Sequence, residues 1–277
     1  MRFRTCEPNM NLANRVIDAR LCINGLLHRK RLQVCSPPVF VVGTGRSGTH
    51  WLGHILQSHP SIRISIEQQP MFDWSRAMAL DPAQVSALLP RLVRRYQFAQ
   101  AASWPKRYAD KSHPNLWVVT ELAAQLPGAR FIGVSRGVYA VVASMLRHRG
   151  VQRSIERWRD YPVPNRFLGI TESNREAYAS MSLVERCTLR WIAHQQELKR
   201  LGREMRGAFL LLDYESLQRD TLNQLTRLQT FLDLEQRFGD VSVKSDSLDK
   251  WREQLTPQQI QAIDRCCAAA SAATTDT

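Results

Sequence analysis

The chain has 277 residues, 44% of them hydrophobic and 23% charged. That is ordinary globular composition, sufficient for a core without disulfide or metal staples. Its 38 Lys and Arg against 25 Asp and Glu leave a net charge of +13, which favours an anionic partner. The longest basic cluster, His28-Arg29-Lys30-Arg31, is too short for a nucleic-acid-binding arm, so nucleic acid is not an expected partner.

Residues 1–36 read as a helical lead segment. Leu12, Val16, Ile23, Leu26 and Leu27 fit a helical stripe that ends in the basic cluster. This helix is expected to pack on the main domain or to lie against something outside it, peripheral membrane contact included. Met1-Arg2-Phe3-Arg4-Thr5-Cys6-Glu7-Pro8 lacks the apolar run of a signal peptide, and no stretch is apolar enough to span a bilayer. Cysteines 6, 22, 35, 187, 266 and 267 have neither metal-ligand spacing nor the pattern of a disulfide framework. The expected compartment is reducing and cytoplasmic.

Pro37-Pro38 opens the main domain, expected over residues 37–267. Val39-Phe40-Val41-Val42 is a β-branched apolar run of the kind found in a buried parallel strand. The turn Gly43-Thr44-Gly45-Arg46-Ser47-Gly48-Thr49 follows, then a helix carrying Trp51, Leu52, Ile55 and Leu56 that stops at His59-Pro60. Ile62, Ile64 and Ile66 alternate as a second strand ending at Glu67. Residues 70–108 read as irregular helix broken at Pro82, Pro90 and Pro105, and residues 114–126 as an apolar helix closed by Pro127-Gly128. The run 130–135 is a strand with Arg136 at its carboxyl end, and a helix follows over 138–148. Residues 150–180 show no period and read as a long loop or lid. A helix at 182–205, a strand at 209–212, a helix at 221–232 and a last helix from Pro257 complete the pattern, with 268–277 as a frayed Ala/Thr-rich tail. Strands alternating with helices predict an α/β domain with a central, mostly parallel sheet, helices on both faces and ligands outside the carboxyl strand ends.

Strand, glycine turn and helix together make an anion cradle, in which backbone N–H groups and the helix N-terminus face the ligand. A Walker A site is disfavoured, because Thr49 and His50 stand where that motif needs Lys and Ser/Thr. A dinucleotide site fits Gly43-x-Gly45-x-x-Gly48 literally, with Glu67 as a ribose-binding acid, and an NAD(P)-dependent Rossmann-type oxidoreductase stays open. Arg46 inside the turn is an anion ligand that such a cofactor does not need. A non-catalytic anion- or glycan-binding protein is a further alternative; it would not need Glu67.

The segment 38–52 resembles the 5′-phosphosulfate loop of sulfotransferases that use 3′-phosphoadenosine-5′-phosphosulfate (PAPS). A second segment, Phe131-Ile132-Gly133-Val134-Ser135-Arg136 leading to Ser144, resembles their 3′-phosphate site. Asp110-Lys111-Ser112 with Pro114, the run 211–217, Phe231-Leu232-Asp233-Leu234 and Lys250-Trp251-Arg252 match further family segments in order, so the resemblance covers about residues 37–260. Asp233 stands where Gly is usual, His50 where Thr or Ser is frequent, and Gly137-Val138 where Asp-Pro is common. The glycan-type and bacterial members are closer than the cytosolic small-molecule ones.

The resemblance implies a P-loop-like three-layer α/β/α fold and transfer of a sulfuryl group from PAPS to an acceptor hydroxyl, on a carbohydrate or other glycan-like molecule, with no metal required. Arg46, Ser47, Gly48, Thr49 and His50 would line the 5′-phosphate cradle. Arg136 and Ser144 would hold the 3′-phosphate, Tyr214 would lie near the adenine, and Trp251 and Arg252 would close over the donor. Glu67 would be the general base, its pKa raised by burial, with His113 and His50 as fallbacks. Lys111 would stabilise the bridging oxygen or bind the acceptor.

Overall fold

The computed structural model describes residues 10–239, 241 and 248–275. Cys6, the start of the lead segment and the end of the tail lie outside the described residues. The strands are β1 Val39–Gly43, β2 Ile62–Ile66, β3 Arg107–Lys111, β4 Arg130–Ser135 and β5 Phe209–Asp213, in one sheet of order β2-β3-β1-β4-β5. The chain therefore has the α/β class expected of it. Its contacts divide it into two compact units. One holds the residues up to Val42 together with His50–Phe131; the other holds Gly43–Thr49 together with the residues from Ile132 on.

In the first unit β1 is apolar and buried along its whole length. It runs parallel to β3, with Val41 beside Lys111, and β3 runs parallel to β2, with Ile66 beside Lys111. The sequence pattern did not predict β3, because Arg107-Tyr108-Ala109-Asp110-Lys111 puts charges where a buried strand is normally apolar. The fold accepts them by pairing. Asp110 accepts hydrogen bonds from Ser65 Oγ at 2.9 Å, Tyr96 OH at 3.1 Å and Asn115 Nδ2 at 3.1 Å. Burial still pushes its carboxyl up to about 6 against these bonds.

The lead helix α1, Leu12–Leu27, starts at Asn11, whose side chain accepts from Asn14 N–H at 2.9 Å. It packs along α4, Val85–Ser103. Asp18 makes a two-pronged ion pair with Arg95, at 2.9 and 3.0 Å. Gly25 lies so close to α4 that a methyl there would sit 2.6 Å from Phe98 Cα. Pro90, read as a break, lies inside α4, and the buried Leu92, Val93, Tyr96 and Phe98 beyond it carry the helix on. The apolar stretch read as one helix divides into a 3-10 turn, His113–Val118, and α5, Val119–Gln125. The remaining helices here are α2, Thr49–Ser58, and α3, Met71–Leu80.

In the second unit the segment read as a loop or lid is instead packed. After α6, Val138–Leu146, which answers the helix expected over 138–148, it forms α7, Arg149–Glu156, then 3-10 turns at Trp158–Asp160, Arg166–Leu168 and Ala177–Ala179. Its widely spaced aromatics anchor it without a helical period: Trp158 meets Tyr178 edge-on at 5.3 Å. Phe167 meets His194 edge-on at 5.2 Å, with Arg190 over its ring at 4.4 Å. His194 and Arg190 lie on α8, Leu183–Glu204, which opens with a capping box of Ser182 and Glu185. Next come α9, Tyr214–Arg219, and α10, Thr221–Leu232. The last, α10, ends at Asp233 with φ 53°, the left-handed turn that explains why glycine is usual there. After α11, Trp251–Gln254, the final helix α12 runs Pro257–Thr275, past the point where fraying was expected. Ala268, Ala269 and Ala270 are strong helix formers, which accounts for the continuation.

Candidate active site

In the second unit the turn Gly43–Thr49 closes with Ser47 N–H donating to Thr44 O at 3.0 Å, and α2 starts from it at Thr49. Thr44, Ser47 and Thr49 are buried while Arg46 is exposed. Arg46 stands at φ 80° and Gly48 at φ 96°. Only glycine adopts such φ values without cost, so Arg46 holds a strained backbone at the crown of the turn. A methyl at Gly48 would run into the Tyr214 ring. Ser47 Oγ is buried and has no hydrogen-bond partner among the described residues. A buried hydroxyl without a partner, in a turn of backbone donors, is what an anion ligand would satisfy.

The second expected motif meets the first. Arg46 Nε donates to Ser144 Oγ on α6 at 3.0 Å, and an Arg136 guanidinium N–H reaches Arg46 O at 3.5 Å. Residues 46, 136 and 144 thus converge although far apart in sequence. Arg136 stacks over Tyr214 at 4.2 Å. Burial pulls the Arg136 guanidinium below its usual range, while Tyr214 and Glu215 act in the opposite direction. Tyr214 itself is buried, and its hydroxyl accepts from Gln218 Nε2 at 2.9 Å. It is a platform beneath Gly48 and Arg136. Sequence reasoning gave Glu215 no role. Its Oε1 accepts Gly137 N–H at 3.1 Å and so fixes the Gly137-Val138 turn.

Trp251 stacks on Tyr139 of α6, with ring centroids 4.6 Å apart. Tyr139 in turn donates to Asp264 on α12 at 2.5 Å. The described partners of Arg252 are Asp249, at 3.0 Å, and the Trp251 ring, at 4.6 Å. Trp251 therefore lies against the helix that bears Ser144, while Arg252 is not among the described contacts of Arg46 or Arg136.

In the first unit the carboxyl ends of β2 and β3 gather four titratable side chains. Glu67 follows β2, with φ 49° and its N–H bonded to Lys111 O at 2.9 Å. Lys111, the last residue of β3, is only 1% exposed, not the surface lysine its type suggests. Its Nζ bonds Glu67 Oε1 and lies 2.8 Å from His50 Nδ1. A cationic Lys111 donates to that nitrogen and so leaves the His50 proton on Nε2, which lies 3.6 Å from Glu67 Oε2. His113 Nδ1 lies 3.1 Å from Glu67 Oε1. The ring of His50, expected only to lend its backbone to the cradle, belongs to this cluster.

The expected rise in the Glu67 pKa is reversed. Burial acts to raise it, but the His113 hydrogen bond and the Lys111 and His113 charges outweigh burial and hold it at about 2. Glu67 is a firmly ionised acceptor in a cationic nest.

The second unit thus holds a glycine-turn anion cradle, and the first holds a carboxylate–lysine cluster at its strand ends. A model of the sulfotransferase family matches residues 37–238. Among solved structures, the sulfotransferase domain from the curacin biosynthetic pathway is 15% identical with a TM-score of 0.56; the match covers 86% of this chain and 98% of that one. The sulfotransferase domain of the Synechococcus PCC 7002 olefin synthase is 20% identical with a TM-score of 0.49, covering 82% and 94%. Mouse sulfotransferase SULT7A1, complexed with PAP, is 16% identical with a TM-score of 0.49, covering 86% of each chain. No curated protein matches. The chain belongs to the sulfotransferase family and has its α/β fold. The nicotinamide and non-catalytic readings are set aside.

Proposed function

We propose that the chain sulfates a hydroxyl of an anionic, glycan-like acceptor, with PAPS as the donor. The observation that carries the reading is the bond from Arg46 in the glycine turn to Ser144 in the second motif, which sets the two motifs side by side. PAPS supplies the sulfuryl group and leaves as adenosine 3′,5′-bisphosphate. The turn amides, Ser47, Thr49 and Arg46 hold the 5′-phosphate and meet the charge that develops on it. Arg136 and Ser144 hold the 3′-phosphate, with Tyr214 as their support. Trp251 flanks this side through Tyr139, and Arg252 lends charge at its edge.

Glu67 orients the acceptor hydroxyl and takes its proton. A carboxylate with a pKa of about 2 is a weak ground-state base. It serves because the hydroxyl becomes strongly acidic as its oxygen bonds to sulfur, so proton loss accompanies bond formation. Lys111 fixes Glu67 and His50 and supplies cationic charge near the reacting oxygens, and His113 completes the hold on Glu67. Support for an anionic acceptor comes from the net charge of +13 and from Arg147, Arg149, Arg153, Arg157 and Arg159, all exposed on the segment that follows Ser144.

Radiolabelled PAPS offered with acidic glycans, neutral sugars and phenols tests this directly. Label on an acidic glycan, lost in Glu67→Gln, is expected. Label on phenols alone would overturn the acceptor class, and no transfer to any acceptor would overturn the activity.

A further inference from the structure

The lead helix has two faces, and the wrong one is apolar for a helix that merely docks. The inward face carries Asn14, whose Nδ2 donates to Gln69 Oε1, together with Asp18, Leu21 and Gly25, a set of mainly small or polar residues. At 3.6 residues per turn, Leu12, Val16, Ala19, Ile23, Leu26 and Leu27 fall within one arc of about 100° on the opposite side. All six are exposed, with Leu12 at 78%, Ile23 at 56% and Leu27 at 73%. Arg15 and Arg20 border this stripe. Arg29, Lys30 and Arg31 follow its end, with Arg31 over the 44%-exposed Trp104 at 5.1 Å.

We propose that this face binds the surface of an anionic phospholipid bilayer, with α1 lying in the plane of the interface. An exposed apolar stripe between arginines is the pattern of an interfacial helix, whose apolar side enters the headgroup–acyl boundary while its cations meet lipid phosphates. A tryptophan beside a cation suits the same boundary. Charge decides against a second copy of the chain as the occupant. Between Met10 and Ser36 the one acidic residue is Asp18, and it is buried against Arg95. Two such faces brought together would oppose arginine to arginine with no acid to compensate. The surface is too short and too charged to be a span: no helix among the described residues is long and apolar enough to cross a membrane. The inference stands apart from the donor and acceptor assignments.

The test is cosedimentation of the full chain with two kinds of vesicle, one of phosphatidylcholine alone and one containing about one-third phosphatidylglycerol. Binding to the anionic vesicles at least about tenfold tighter than to the zwitterionic ones, and weakening as salt rises, is expected. The double variant Ile23→Glu/Leu26→Glu should lose at least about tenfold of that binding. Both positions are exposed, so it should keep its circular dichroism and its binding of adenosine 3′,5′-bisphosphate. Retained nucleotide binding separates a failure here from a failure of the donor reading. Absence of binding to anionic vesicles would overturn the proposal, as would binding indifferent to the double variant. A dimer by light scattering that the double variant dissolves, without vesicle binding, would assign the face to a second copy instead.

Discussion

Glu67 and Arg46 share an unusual property: both are non-glycine residues held at positive φ, at 49° and 80°. Such positions cost on the order of 1–3 kcal/mol each and persist where the surroundings fix them. Here the fixing contacts are the partners of the site: Lys111 O for the Glu67 amide, and Ser144 and Arg136 for Arg46. If Glu67 takes the acceptor proton, Glu67→Gln should lower kcat by about 10²–10⁴-fold while nucleotide binding persists, measured by steady-state kinetics and calorimetry. The pH dependence has a definite sign. The Glu67 pKa is depressed from 4.5 to about 2, so it is ionised and its ion pair stabilises the fold above about pH 4.5; that contribution is lost as pH falls towards 2. Replacing Lys111 by Met removes a lowering influence and leaves burial less opposed. The acid limb of kcat/KM should then move to higher pH than in the parent enzyme. An unmoved limb would mean that Glu67 is not the titrating group.

At the scale of elements, Gly25 and Asp233 make opposite predictions. Gly25→Ala gains helix propensity, but its methyl meets the Phe98 backbone, so the chain should lose about 1–3 kcal/mol in denaturant unfolding. Asp233 closes α10 in the left-handed region, with Leu234 N–H on Gln229 O and Asp233 N–H on Thr230 O. Asp233→Gly relieves that backbone and should stabilise by about 1 kcal/mol, read the same way. These positions also show what the sequence disclosed. β1, β4, the glycine turn and the span of α10 were legible because period and turn chemistry are local signals. β3 was not, since its charges are tolerated through partners such as Ser65, Tyr96, Glu67 and His50, residues distant in the chain. The packed segment 150–180 was missed for the same reason, its order coming from single aromatics seated on distant partners such as His194 on α8. Glu67 was legible as a candidate by resemblance. Its low pKa was not, because that depends on Lys111 and His113 converging in space.

For the whole molecule, the surplus of positive charge bears on substrate capture. If the acceptor is anionic, its KM should rise several-fold from low to physiological ionic strength while kcat changes little, because exposed charges are screened beyond a Debye length of about 8–10 Å. The double variant Arg149→Gln/Arg153→Gln should mimic that rise at low salt. A salt-insensitive KM would remove the charge argument for the acceptor. The central claim concerns the donor, and it rests on Arg136 and Ser144 reading a 3′-phosphate beside the Arg46 turn. The most direct measurement is calorimetric binding of adenosine 3′,5′-bisphosphate, compared with AMP, ATP and NAD, to the parent chain and to Arg136→Ala. The account predicts that the bisphosphate binds far more tightly than AMP and that Arg136→Ala removes most of that preference, a loss of about 1.5–3 kcal/mol for a charge-assisted contact. Equal binding of AMP, a preference for NAD, or an unchanged Arg136→Ala variant would contradict it.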